Sequence, residues 1–315
     1  MKIAVSGCLL GEKVRFDAGH KRDAFVMDDL SRYAEYISFC PENMAFGNPR
    51  PSLRLVSNKD DTIKVESNKT GEDLSQQLMS ASQKDLEAIA SHPLCGIILK
   101  SKSPSCGMKS AKLYQDNGFV ESKSDGVFAA MCREKFPLLP MEEEGRLCDA
   151  WLRENFVMQV FAYERFEKFK VNATMKDLVA FHSVNKFMLQ SKDENLYRQL
   201  GKIVGNHEAK SFADILEAYE FLFKTAIAKK SSKGKTRNVL EHMSGFVKSH
   251  LNAQEKEMLH EQIDDYSAQI IPLILPLSTL KLYAQKYEVS YLLEQSFLSP
   301  YPKELALRSD VKCVK

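Results

Sequence analysis

The sequence predicts an α/β N-terminal domain with a mostly parallel sheet, followed by an all-α helical domain. Three observations carry this. Short apolar runs rich in β-branched or aromatic residues recur early in the chain, each followed by Gly, Pro or Ser, which is the pattern of strand then turn. Between them lie segments with apolar residues at helical spacing, so strand and helix alternate as in βαβ units. After about residue 150 strand signals nearly vanish, Gly and Pro become sparse, and helical spacing runs on. A length of 315 residues fits about two domains, placed here at 1–150 and 151–315.

In chain order, Ile3–Val5 is the first strand, leading into a Gly-containing loop around Cys8. Residues 13–21 form a polar loop in which Asp17 is either a turn former or a site residue. Phe25, Val26, Leu30, Tyr33 and Ala34 stand at helical spacing, so residues 22–36 are expected as a crossover helix. A second strand delivers Cys40. Pro49, Pro51 and Gly47 mark an irregular loop, and alternating Leu53, Leu55, Ile63 and Val65 predict a hairpin over 53–69. A helix follows over 72–91, with Leu74, Leu78, Leu86 and Ile89 on its apolar face. The third strand, around Ile97–Leu99, leads to Cys106. Residues 111–125 read as loop, 126–135 as helix, and 136–141 as a last short strand. Beyond 150, helical segments are expected at 151–170, 174–190, 194–203, 211–228, 236–251, 253–268, 275–287 and 288–297. No repeat of fixed period occurs, which disfavours a solenoid.

The totals exclude several classes. With 44% hydrophobic and 27% charged residues the chain is not disordered, and a net charge of +2 means that any nucleic-acid partner must be met by a local basic patch. The apolar part of the N-terminus is too short for a signal peptide. The longest apolar segment, residues 270–277, contains two prolines and is far below membrane-spanning length. A cytoplasmic protein is expected. Seven cysteines, an odd count without a secretion signal, point away from disulfides and toward metal binding or catalysis.

Cys8, Cys40 and Cys106 each follow a predicted strand. If those strands are parallel in one sheet, the three thiols emerge at its carboxyl edge, where open α/β sheets place their ligands. Structural zinc sites take four ligands, often with a tight Cys pair, and no such pair exists here. A [4Fe–4S] cluster held by three thiolates leaves one iron without a protein ligand, free to bind a soft atom such as sulfur. Glu42, two residues past Cys40, is either an acid–base group beside that open position or a helix cap. Ser103 and Ser105 either hydrogen-bond a substrate or only make the turn. Cys95 and Cys132 read as small buried hydrophobes. Cys148 and Cys313 have no matching context, and the histidines show no ligand spacing.

These residues carry a resemblance. Ser6–Gly11 (SGCLLG) with Val14–Asp17 (VRFD), Cys40-Pro-Glu42 with Asn48-Pro-Arg50, and Lys102–Gly107 (KSPSCG) resemble the DUF523 family, which includes the 2-thiouracil desulfidases. Residues from about 170 to 310, starting near Phe181-His182, resemble the DUF1722 domain. The fusion is similar to bacterial tRNA 4-thiouridine desulfidases. The resemblance implies that Cys8, Cys40 and Cys106 hold a [4Fe–4S] cluster whose free iron takes the thiocarbonyl sulfur. It implies that Glu42 moves protons and Ser103 helps hold the substrate, with thiouridine plus water giving uridine plus sulfide. Phe16-Asp17-Ala18 departs from the Tyr-Asp-Gly of many relatives, so the resemblance leaves open whether Asp17 belongs to the site.

The implied partner is tRNA or a thiolated nucleobase. Between Phe221 and Leu240 no acid occurs, whereas Lys224, Lys229, Lys230, Lys233, Lys235 and Arg237 do, with Ser231, Ser232 and Gly234 between them. As a charge run this is ordinarily a solvated face. With a tRNA substrate implied, it is expected as a flexible phosphate-contact loop. The rival reading is an iron–sulfur regulatory protein that binds nucleic acid, or senses oxygen or iron, without turnover.

Overall fold

β1 (Lys2–Ser6) runs between two parallel neighbours, β2 (Glu35–Phe39) on one side and β5 (Leu94–Leu99) on the other, in a computed structural model that describes residues 1–58, 62–115, 118–206 and 209–309. β8 (Met141–Glu143) pairs parallel with β5, giving a four-stranded parallel sheet in the order β2-β1-β5-β8. β5 is buried along its whole length, as a central parallel strand covered on both faces must be. The chain divides into two compact units, Met1–Cys148 and Asp149–Lys315.

A second sheet departs from the expectation of a single one. β3 (Leu53–Ser57) and β4 (Ile63–Ser67) form the expected hairpin. Residues 111–125, read as loop, hold a second hairpin of β6 (Ala111–Gln115) and β7 (Val120–Ser124). The two hairpins join through a parallel β3–β6 pairing, in the order β4-β3-β6-β7. β7 escaped because four of its five residues are exposed and none is buried, so it carries no apolar alternation. The inner face of this sheet, with Leu55, Val65, Ala111 and Leu113, packs with Leu74 and with Leu78 of the helix α2. That helix spans Ser75–Ala90, inside the expected 72–91.

Two further differences lie around the sheet edge. The expected crossover helix over 22–36 is a π-helical turn, Phe25–Asp29, followed by a 3-10 turn, Leu30–Arg32. Phe25, Val26 and Leu30 are buried as their spacing required. Directly after β2 stands a short helix, α1 (Pro41–Phe46), where the sequence suggested irregular loop. Pro41 fills its first position, where a missing N–H costs nothing. α3 (Val127–Lys135) matches the expected helix over 126–135.

The second unit is helical as expected: α4 (Ala150–Phe169), α5 (Met175–Val184), α6 (Lys186–Lys192), α7 (Glu194–Gly205), α8 (Phe212–Ala228), α9 (Lys233–Val247), α10 (Ala253–Ser267), α11 (Ile274–Lys286) and α12 (Ser290–Leu293). The expected single helix over 174–190 breaks at Asn185, a buried residue that donates to the Phe181 carbonyl at 2.8 Å and accepts from the Ser296 hydroxyl at 2.8 Å. Its core is aromatic, with Phe166, Phe181, Tyr219 and Phe223 in mutual ring contact. Among the described residues no helix is long and apolar enough to cross a membrane.

Candidate active site

The parallel sheet delivers the three thiols to one edge. Cys8 lies in a 3-10 turn, Gly7–Leu10, directly after β1, and Cys40 is the residue between β2 and α1. Cys106 stands on the longer loop after β5. All three line one cavity of about 420 Å³, together with Glu42, Ser103, Ser105 and Arg50. The gathering of distant cysteines at a carboxyl edge follows from parallel strands, because all of them end on the same side.

The loop that bears Cys106 is held at each end. Glu144, just past β8, accepts from the Ser101 N–H at 2.7 Å and the Ser101 hydroxyl at 2.8 Å, and pairs with Lys100. Buried Glu143 accepts from the Met108 N–H at 2.6 Å and from the Ser110 hydroxyl. Burial raises the Glu143 carboxyl above its ordinary range. At the loop's centre the N–H groups of Val127 and Ala129, in the first turn of α3, donate to the carbonyls of Pro104 and Ser105 at 3.1 and 3.0 Å. These are helix N–H groups without intrahelical partners, so loop and helix complete each other. Gly126 must be glycine here: a Cβ would stand 2.5 Å from the Ser105 carbonyl carbon.

Glu42 is the polar centre. Its Oε1 accepts from the Ser103 hydroxyl at 2.8 Å and the Ser105 hydroxyl at 2.6 Å, and its Oε2 accepts from Arg50 at 2.8 Å. Arg50 is nearly buried and also donates to the Val14 carbonyl at 2.6 Å. Every one of these neighbours donates to the carboxylate, so its position is fixed. The serines therefore hold Glu42 as well as shaping the turn; the Ser103 hydroxyl also accepts from the N–H groups of Ser105 and Cys106, both at 3.2 Å.

Burial pushes each thiol up to about 12, and each feels another's charge: Cys106 raises Cys8, Cys8 raises Cys40, and Cys40 raises Cys106. Local donors oppose this. The Asn43 N–H lowers Cys40, while the Ser105 and Ser6 hydroxyls lower Cys106. Such a trio takes up the thiolate form when a cationic centre binds. Among the described residues no group of three or more His, Cys, Asp or Glu side chains is spaced for a single metal ion. A multinuclear iron–sulfur cluster asks for something different, soft donors arranged around a body rather than a point. Three cysteines on three loops around one cavity meet that demand.

The remaining sequence candidates fall elsewhere. Asp17 is exposed and makes its turn by accepting the Gly19 N–H at 3.1 Å; it does not line the cavity, whereas its neighbours Arg15 and Phe16 do. Cys95 and Cys132 are buried, and Cys132 sits within electrostatic reach of Cys106 without lining the cavity. Cys313 lies outside the described residues. Arg50 entered the sequence reading only as part of the Asn48-Pro-Arg50 motif, without a role, and Glu143 and Glu144 not at all; for those two, the run of three consecutive acids at the end of a strand was the available signal.

Asp85 of α2 was also missed. It is buried, accepts the Cys40 N–H, and is pushed up to about 6 by burial. A raised carboxyl pKa favours the fold at low pH and loses that advantage as pH rises through about 4 to 6, a change of about 3 kcal/mol for a shift of this size. Asp85→Asn keeps an acceptor for Cys40 and removes the charge. Its melting temperature at pH 8 is expected to rise, by about 2 kcal/mol of stability, and its stability is expected to flatten between pH 4 and 6. Thermal unfolding followed across that range checks this; a fall at pH 8 refutes it.

In the helical unit the basic run proves mostly engaged. The expected flexible loop is instead the end of α8 and the start of α9, with only 229–232 between them. Lys224 is a correction: it is buried, held by Glu167 at 2.6 Å and Glu220 at 2.5 Å, and so presents no charge to a phosphate. Arg237 pairs with Asp264 at 2.6 Å, Lys235 donates to the Lys192 carbonyl at 2.6 Å, and Lys230 lies over the Trp151 ring. Lys229 and Lys233 have no ion pair among the described residues. Behind this run Lys192, fully buried, donates to Asn155 Oδ1 at 2.6 Å, and burial lowers it to about 7.

Residues 3–144, which include all three cavity thiols, match the family model described as 2-thiouracil desulfurase, and residues 186–302 match DUF1722, a family of unknown function. The chain thus carries a 2-thiouracil desulfurase (DUF523) domain at its N-terminus and a DUF1722 domain at its C-terminus. In sequence it is similar to the uncharacterized protein YbgA of Escherichia coli (strain K12), 25% identical over 157 residues, which covers 49% of this chain and 93% of YbgA. Among solved structures it is similar to the [4Fe–4S]-dependent thiouracil desulfidase TudS, at 27% identity and a TM-score of 0.38, over 46% of this chain and 92% of that one.

Proposed function

We propose that the N-terminal domain is a [4Fe–4S]-dependent desulfidase that removes sulfur from a thiolated uracil ring, with 4-thiouridine in tRNA as its substrate. The observation that carries this is the cavity itself: three thiols on the connections that follow three parallel strands share it with one carboxylate held by two serines and an arginine. The 2-thiouracil desulfurase model supports the substrate class. Cys8, Cys40 and Cys106 would hold the cluster, which supplies a Lewis-acidic iron open to the thiocarbonyl sulfur.

The chain's own residues do the rest. Glu42 takes a proton from water as the water oxygen bonds to the ring carbon and the carbon–sulfur bond breaks. The net change is C=S plus H₂O giving C=O plus H₂S, with no oxidation or reduction. Arg50 offsets the carboxylate charge and fixes its orientation. Ser103 and Ser105 hold Glu42 at one geometry, so little reorganisation remains when substrate arrives. For tRNA, Lys229 and Lys233 of the helical unit are proposed phosphate contacts.

Anaerobic protein reconstituted with iron and sulfide, then incubated with 4-thiouracil and with thiolated tRNA, is expected to release stoichiometric sulfide from the tRNA. Cluster-loaded protein that releases none from either substrate refutes the desulfidase reading and leaves a regulatory role.

A further inference from the structure

Beside the thiol cavity, and sharing Leu53, Asn68, Lys102 and Pro104 with it as a common wall, runs a second groove of about 390 Å³ over the second sheet. Its charged lining is wholly basic: Arg54, Lys102, Lys112 and Lys123, with Tyr114 between them. Arg54 is matched by Glu66 at 3.1 Å. Lys102, Lys112 and Lys123 are exposed and form no ion pair among the described residues.

Lys112 and Lys123 are the informative pair. They stand directly opposite each other in the β6–β7 register, so both project from one face of the sheet. Like charges at such a position destabilise a hairpin, which gains nothing from them in isolation. Lys102 adds a third cation at the lip between groove and cavity, in a left-handed backbone (φ 61°) pinned by the Ser110 hydroxyl, which accepts its N–H at 2.8 Å. Tyr114 is half-buried, a ring of the kind on which a base stacks.

We infer that this groove binds the phosphodiester backbone of the RNA strand flanking the nucleotide whose base enters the thiol cavity. The inference rests on the desulfidase reading of that cavity. Lys102 meets the first flanking phosphate, Lys112 and Lys123 bind the next, and Tyr114 stacks an adjoining base. Phosphates resolve the repulsion between the paired lysines, and continuity with the cavity places them beside the reacting nucleotide. The N-terminal domain thereby grips RNA itself, in addition to the phosphate contacts proposed at Lys229 and Lys233 of the helical unit.

The test is Lys112→Gln with Lys123→Gln in the full chain. Neutralising an opposed pair keeps the hairpin, so an unchanged or raised melting temperature is expected. Binding of an unthiolated single-stranded RNA, measured against salt, is expected to weaken, and the slope of log affinity against log salt to fall by about 1.4, about 0.7 for each cation removed from a single strand. The ratio of kcat/KM for a thiolated oligonucleotide to that for free 4-thiouracil is expected to fall at least about fivefold. Unchanged RNA affinity and salt slope overturn the proposal. So does a loss of affinity for polyglutamate with RNA binding intact, which assigns the groove to an acidic protein. The binding measurement needs no turnover, so a failure of the groove and a failure of the desulfidase reaction are told apart.

Discussion

Glu42→Gln is expected to lower single-turnover sulfide release at least about 100-fold, the scale on which a positioned acid–base group acts, while iron content stays that of the unaltered chain. The amide keeps an oxygen for the Ser103 and Ser105 hydroxyls, so the Cys106 loop retains its contacts. What it loses is the proton acceptor and the partner of Arg50, whose side chain is only 3% exposed. A buried guanidinium without its carboxylate costs about 3 kcal/mol, so a lower melting temperature accompanies the loss of turnover. Iron content separates the two effects, because a collapsed site would shed iron as well. Turnover within a few-fold of the unaltered chain, with iron intact, removes Glu42 from the chemistry.

Cys106→Ala is expected to abolish iron binding on anaerobic reconstitution, where the unaltered chain takes up about four irons. The loop itself should survive, since Glu143, Glu144 and the first turn of α3 hold it through backbone groups rather than through the sulfur. Circular dichroism and a melting curve close to those of the unaltered chain establish that. Cys148→Ala is the control: it is exposed and does not line the cavity, so its iron content stays unchanged. Full iron in Cys106→Ala, or equal loss in Cys148→Ala, ends the assignment of the three ligands.

Much of the site was legible because each part has a local signature. A buried parallel strand is a short unbroken apolar run, so Ile3–Val5 and Ile97–Leu99 were visible, and their cysteines with them. Lys224 shows where that reading failed. Its window began at Phe221, one residue past Glu220, the i,i+4 partner that neutralises it on α8. Glu167, its other partner, lies on α4 and could not have been paired with it from spacing. α1 was hidden by its length, six residues between Cys40 and Gly47, too short for a periodic pattern.

By itself the sequence determined the order of an α/β part before a helical one, the helical character of the second half, and three thiols following three strands. Periodicity and turn chemistry decide those, and both act within a few residues. Tertiary structure alone decided that Arg50, Ser103 and Ser105 converge on Glu42, that two hairpins from different crossovers merge into one sheet, and that Lys112 faces Lys123 on its outer side. Those relations join residues by strand pairing and loop closure over tens of positions, and neither leaves a spacing in the chain from which it can be read.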